Sequence, residues 1–221
     1  MNELALFAGA GGGILGGHLL GWRTVCAVEQ SSFCARRLMQ RQNEGHLPPF
    51  PVWDDVRTFD GRAWRGFVDV VSGGFPCQAH SGAARGRTVA DDLWPEMRRV
   101  VADAAPRFVF AENVVRKAID HAAEDLEAMG YRTRCIALAA SDLGADHIRQ
   151  RYWLLAYTDD DSELLLPVDA EVAGCREFTR VFGQPSPTNH EWLMAWPIGW
   201  TDSLPLATDR FQSWRRLHGK C

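Results

Sequence analysis

Six short apolar runs alternate with amphipathic segments along most of this chain, and that alternation limits the folds open to it. The runs are LALFA (4–8), TVCAVE (24–29), FVDVVSGG (67–74), RFVFAEN (107–113), RTRCIALAA (132–140) and RYWLLAYT (151–158). Between them, SSFCARRLMQRQ (31–42), LWPEMRRVVADA (93–104) and VRKAIDHAAEDLEAMG (115–130) carry apolar residues at helical spacing. The last of these stops at Gly130, a residue type suited to the left-handed turn just past a helix. Strands this apolar are covered on both faces, which predicts an α/β chain with a doubly wound, mostly parallel sheet. Beyond about residue 157 the pattern fails. Residues 158–187 are acidic, then mixed, then rich in proline, and the remainder carries Trp192, Trp196, Trp200 and Trp214. The first three have i, i+4 spacing, but Pro197 interrupts any helix through them. A helix packed on the core and then a turn is the ordinary reading of that stretch; a contact surface for nucleic acid or a partner is the other.

The 221 residues suffice for one domain with a sizeable core and a small appendage. No apolar stretch approaches the roughly 18 residues that span a bilayer. The first residues lack a basic leader, so no secretory signal is expected. Cys26, Cys34, Cys77, Cys135, Cys175 and Cys221 form no C-x-x-C pair and no zinc spacing. That scatter predicts a reducing, intracellular setting, no metal site, and cysteines that mostly serve as small buried hydrophobes. The net charge of −4 argues against coating nucleic acid by bulk charge but leaves room for local basic surfaces. Lys117 and Lys220 are the only lysines. Arginine forks suit phosphates and base edges, and a coding bias produces the same composition.

The segment LALFAGAGGGILGG joins the first strand to its helix through a run of glycines. Glycines there let backbone N–H groups approach a ligand at a helix N-terminus. Glu29 ends the second strand, at a suitable distance to bind a ribose hydroxyl. Gly11, Gly13 and Gly16 satisfy G-x-G-x-x-G, so a nicotinamide site competes with other nucleoside cofactors, and a ligand-free tight turn competes with both. The second feature is GGFPCQ (73–78), where a stiff Pro76 follows a glycine turn at the end of an apolar strand. In open α/β sheets ligands bind beyond the carboxyl ends of strands. A thiol at Cys77 would be presented there as a nucleophile rather than buried as structure.

FAGAGG, GGFPCQ, ENV and HIRQR occur in that order over residues 4–157, and together they resemble the DNA (cytosine-5)-methyltransferases; TNHEWLMAWPIGW is similar to a later segment of that family. The resemblance implies the Rossmann-like fold of S-adenosylmethionine-dependent methyltransferases. It implies that Cys77 adds to cytosine C6, that Glu112 supplies a proton or hydrogen bond at N3, and that Arg149 and Arg151 steady the base and brace the site. On the cofactor side it implies Phe7 against the adenine and Gly9, Gly11 and Gly12 shaping the loop. Glu29 would lie on the ribose and Asp55, or Asp54 one register away, near the adenine amino group, with Pro76 beside them. S-adenosylmethionine is the implied methyl donor and S-adenosylhomocysteine the product. Duplex DNA with one flipped-out cytosine is the implied partner, with His80 and Ser81 near the vacated position.

The chain departs from the family pattern at Ala5, where an acid is common, at Gln30, where an aromatic is common, and at His147, which stands where HIRQR would begin with glutamine. The changes at Ala5 and Gln30 predict weaker cofactor binding. Only about 30 residues separate the strand ending near 157 from TNHEW, too few for a recognition domain with its own core. The expected organisation is therefore a catalytic core (1–157), a short insert (158–187) and a C-terminal segment packing back on the core (188–221). A short or relaxed target sequence follows, or a partner protein that supplies specificity. The family's final G-N-(S/A)-V element is absent, with LPLATDRFQSW in its place. The small size suits a bacteriophage or mobile-element protein, and restriction-modification is the setting that the resemblance implies. An RNA cytosine-5 methyltransferase and a weakly active, partner-dependent DNA-binding relative remain open as alternatives; a dehydrogenase has no use for the Cys–Glu–Arg set.

Overall fold

The computed structural model describes residues 1–76, 92–143, 148–158, 191 and 194–218. The chain is α/β and divides into two compact units, Met1–Phe59 with Phe178–Cys221, and Asp60–Glu177.

The first unit alternates β1 (Asn2–Leu6), α1 (Gly12–Leu19), β2 (Arg23–Val28), α2 (Ser32–Asn43) and β3 (Val52–Trp53). Its strands are parallel in the order β3-β2-β1. β1 and β2 bury nearly every side chain, which is why the sequence shows unbroken apolar runs and not alternation. α2 starts at Ser31, whose hydroxyl accepts the Cys34 N–H. A late helix, here α5 (Thr208–His218), belongs to this unit and buries Phe211 and Trp214. Phe211 and Trp214 share one core with Leu15, Leu38, Trp200 and Leu206. The sequence periodicity had not announced α5, because only two of its eleven residues face the core. Trp196 and Trp200 lie in a run of turns and not on a helix, and Trp200 is fully buried there.

The second unit holds β4 (Val70–Gly74), α3 (Trp94–Ala104), β5 (Phe108–Asn113), α4 (Arg116–Ala128), β6 (Arg132–Leu138) and β7 (Arg151–Tyr157). The strand order is β4-β5-β7-β6. β4 and β5 are parallel, while β7 runs antiparallel to both β5 and β6. The mostly parallel expectation holds with this one strand reversed. An antiparallel neighbour needs no crossover helix, and among the described residues the connection from β6 to β7 carries only a single 3-10 turn (Ala140–Leu143). α4 buries Ala118, Ile119, Ala122, Ala123 and Leu126, a stripe at i, i+3/i+4 spacing, and stops where Gly130 takes φ +91°.

β6 corrects the picture of strands covered on both faces, since five of its seven residues are exposed. It is an edge strand, and Arg132 and Arg134 discourage further pairing along it. Of the cysteines among the described residues, Cys26 alone has the expected burial. Cys26 is buried, and burial pushes its thiol up to about 12, but Cys34 is only partly buried and Cys135 on β6 is exposed.

Among the described residues no helix is long and apolar enough to cross a membrane.

Candidate active site

In the first unit the glycine loop follows β1 directly. Phe7 takes φ +52°, a strained left-handed conformation for an aromatic residue, and turns the chain out of the strand. Gly9 takes φ +56°, with no atom within 4 Å of where a Cβ would stand. Its N–H donates to Glu29 Oε2 at 2.7 Å, and the Ser31 N–H donates to Glu29 Oε1 at 2.7 Å. The carboxylate is thereby fixed at the end of β2 with its orientation set by two backbone donors. An ionised carboxylate has about four acceptor sites, so two remain for hydroxyl groups. Open space at Gly9 beside an oriented acid fits the nucleoside end of S-adenosylmethionine.

Gly11 and Gly12 have a second reason to be glycine. A Cβ on Gly11 would lie 2.9 Å from Leu38 Cδ2 and 3.7 Å from Trp200 Cζ2, and one on Gly12 would lie 2.7 Å from Trp196 Cζ2. The protein's own side chains occupy that side of the loop, a packing role that the motif alone did not reveal. Gly11 also takes φ +96° as the N-cap of α1. Gly11→Ala is expected to cost about 2 kcal/mol from backbone strain. A fall of roughly 4–8 °C in Tm measured by calorimetry would match that cost. Asp55 caps a 3-10 turn (Val56–Thr58), accepting the Arg57 N–H at 2.9 Å, and is partly buried, whereas Asp54 is exposed. Of the positions that depart from the family pattern, Ala5 is buried in the core and Gln30 is exposed.

In the second unit the ends of β4, β5 and β7 bring together Glu112, Arg151 and the turn leading to Cys77. Arg151 Nε lies 2.8 Å from Glu112 Oε1, with side chains 21% and 25% exposed. Burial raises the Glu112 carboxyl above its ordinary value, and the positive charges of Arg151 and Arg149 only partly offset this. A carboxyl held toward its protonated form beside two guanidinium groups can donate a hydrogen bond to a ring nitrogen and stabilise charge developing there. Arg149 is exposed and precedes β7 by two residues.

The turn after β4 is tied down from two sides. Asn113 Nδ2 donates to the Phe75 carbonyl at 2.8 Å, and the Leu93 N–H donates to the Pro76 carbonyl at 3.2 Å. Phe75 packs at 5.1 Å from the Trp94 ring, and Trp94 Nε1 donates to Asp125 at 2.7 Å. Asn113 is buried and fixes the backbone just beyond β4, a contact that reading the ENV motif for its glutamate does not reveal. Cys77, His80, Ser81 and His147 lie outside the described residues.

Gly74 faces Glu112 across the strand pair, and a Cβ there would stand 2.9 Å from Glu112 Oε2. The carboxylate is the free end of a flexible side chain and can move aside. Gly74→Ala is therefore expected to leave thermal stability nearly unchanged. If the chain methylates, the same change should slow transfer about 10- to 100-fold by displacing that group. A variant with wild-type kcat would show that the carboxylate position does not matter.

A sequence profile of the family described as C-5 cytosine-specific DNA methylase matches residues 1–181. The type II methyltransferase M1.HphI of Haemophilus parahaemolyticus is 33% identical over 188 residues, which cover 76% of this chain and 48% of that protein. M.NgoMIV of Neisseria gonorrhoeae is 30% identical, covering 72% of this chain and 52% of that protein. Among solved structures, a protein described as a DNA modification methyltransferase from an E. coli prophage matches with TM-score 0.58 and 26% identity, covering 72% of this chain and 47% of that one. The Dnmt2 methyltransferase of S. pombe matches with TM-score 0.58 at 18% identity, over 78% of this chain and 58% of that one, and shows the fold alone. The chain spans about half the length of these two type II relatives. The chain belongs to the C-5 cytosine-specific DNA methylase family. Its α/β fold is the one shared with those methyltransferases.

Proposed function

We propose that this chain transfers a methyl group from S-adenosylmethionine to C5 of a flipped-out cytosine in DNA. The observation that carries the reading is the pairing of partly buried Glu112 with Arg151, next to the anchored turn that leads into Cys77. Cytosine C5 is a poor nucleophile on its own. The Cys77 thiolate forms a bond to C6, and the electron pair displaced from the C5–C6 bond moves toward N3. Glu112 gives a proton or a hydrogen bond at N3, which leaves C5 with enamine character. Arg151 holds Glu112 in place, and Arg149 faces the base. When bound, S-adenosylmethionine would supply a methyl group on a positively charged sulfur; C5 would bond to that methyl carbon as the S–CH3 bond breaks, its electron pair staying on sulfur in the departing S-adenosylhomocysteine. Loss of the C5 proton to solvent then returns its electron pair to the ring, the S–C6 bond breaks, Cys77 leaves as thiolate, and a proton given at N3 returns to Glu112.

Phe7, Gly9, Gly11, Gly12, Glu29 and Asp55 hold the methyl donor in this reading, with Glu29 accepting from the ribose hydroxyls. The description of the family whose profile matches, C-5 cytosine-specific DNA methylase, supports DNA as the substrate. The internal segment between Tyr157 and Glu191 is short, which favours a short or relaxed target, or a second polypeptide that reads the sequence.

The test uses labelled S-adenosylmethionine with duplex DNA, single-stranded DNA and tRNA in parallel. Label recovered as 5-methylcytosine in duplex DNA supports the reading. Label confined to tRNA would move the assignment to RNA, and no transfer to any substrate would leave a binding protein or a subunit that needs its partner.

A further inference from the structure

The observations within the first unit converge on one residue that no motif contains. Arg41, on α2, is fully buried. Its Nε donates to the Trp200 carbonyl at 2.9 Å, and Nη2 lies 2.7 Å from the carbonyls of Gly199 and Trp200 and 3.0 Å from that of Asp202. Nη1 pairs with Glu44 at 2.5 Å, and the guanidinium stands 5.6 Å from the Trp200 ring. The same turn is gripped from its donor side, because Glu191 accepts the N–H groups of Gly199 and Thr201 at 2.6 Å each. A buried guanidinium is costly unless its donors are met, so this turn has one arrangement that satisfies Arg41.

The turn in turn holds the glycine loop. Trp200 Nε1 donates to the Ala10 carbonyl at 2.6 Å, and Trp200 with Leu38 fills the space beside Gly11. Leu38 and Arg41 stand one turn apart on α2. On the loop's other side Glu29 holds Gly9. The loop from Ala8 to Gly11 is thus clamped between Glu29 and Trp200, and Trp200 is clamped by Arg41.

We infer that Arg41 and Trp200 are positioning residues for the methyl donor: they set the glycine loop in the shape that binds S-adenosylmethionine, and they make the turn at 199–202 a requirement for cofactor binding. The inference rests on the function proposed above. Its prediction is a loss of cofactor affinity without a matching loss in the chemical step.

The experiment compares wild type, Trp200→Phe and Arg41→Lys by calorimetric titration with S-adenosylhomocysteine, alongside kcat and KM for S-adenosylmethionine and Tm. Trp200→Phe keeps an aromatic side chain but removes the indole N–H, leaving the buried Ala10 carbonyl without its donor. The Kd is expected to rise about tenfold. KM should rise in step, while kcat at saturating donor stays within about twofold. Arg41→Lys offers a point charge in place of a planar fork and is expected to weaken binding in the same way. A Tm change with Kd unmoved in Trp200→Phe would reduce the clamp to a structural contact and overturn the inference. An equal fall in kcat with KM unchanged would also overturn it. A wild-type chain that binds neither nucleoside would instead remove the proposed function and the inference together.

Discussion

Cys77→Ser is expected to lower methyl transfer by at least about 10^4-fold while leaving cofactor binding intact. Serine preserves the size of the side chain. Its hydroxyl is far less acidic than a thiol and is not ionised at neutral pH, so no anion is available to add to C6. The strongest readout is covalent capture. With DNA carrying 5-fluorocytosine the adduct cannot lose its C5 substituent as a proton, so the wild-type protein should remain attached to the DNA. The serine variant should show no such band after denaturing electrophoresis. Transfer that persists in Cys77→Ser would end the covalent mechanism, whatever the family membership. The turn before Cys77 supports the expectation, because the Asn113 amide and the Leu93 N–H fix the backbone immediately upstream.

Glu112→Gln is expected to cost roughly 10^2- to 10^4-fold in kcat, the usual range for a positioned acid. Glutamine retains a hydrogen-bond donor but cannot pass a proton. The pH profile distinguishes this role from a structural one. Burial raises the Glu112 pKa above its ordinary 4.5, against the opposing charges of Arg151 and Arg149. The protonated, donating form therefore persists to higher pH than in an exposed glutamate, and wild-type transfer should fall as pH rises through that raised pKa. The glutamine variant should lack this falling limb. Stability carries the opposite sign to the salt-bridged acid usually imagined. With the folded pKa raised, the contribution of Glu112 is fully present below 4.5 and is lost as pH rises through the folded value. At neutral pH the amide should then be no less stable than the carboxylate, because the partly exposed pair with Arg151 contributes little. A Glu112→Gln protein that lost several degrees of Tm at pH 7 would show that the ion pair, and not burial, dominates this site.

Much of this molecule could be read from local sequence because local physics decides it. The apolar runs became β1, β2, β4, β5 and β7 within a few residues of their expected limits, and in β1 and β2 burial on both faces leaves the unbroken apolar signature. α2, α3 and α4 followed from helical spacing and, for α4, from the Gly130 stop. The glycine loop and the acid at the end of β2 lie close in sequence to the strands that carry them, and the structure joins Gly9 to Glu29 by a direct hydrogen bond. The resemblance to the methyltransferase family likewise rested on short ordered motifs, and the family match agrees with it.

What the residues one by one could not show were the pairings made across long separations. Glu112 and Arg151 meet only because β7 reverses beside β5, a strand placement that no periodicity encodes. Asn113 reads as a motif neighbour until its amide is seen on the Phe75 carbonyl. Arg41 looks like any solvated arginine on an amphipathic helix until a turn some 160 residues later supplies carbonyls for its buried guanidinium. Sequence determined the elements and the chemistry they can offer, because propensity and burial act on neighbours along the chain. Tertiary structure decided which of those groups share a site, because a buried charge must find its partners wherever folding brings them.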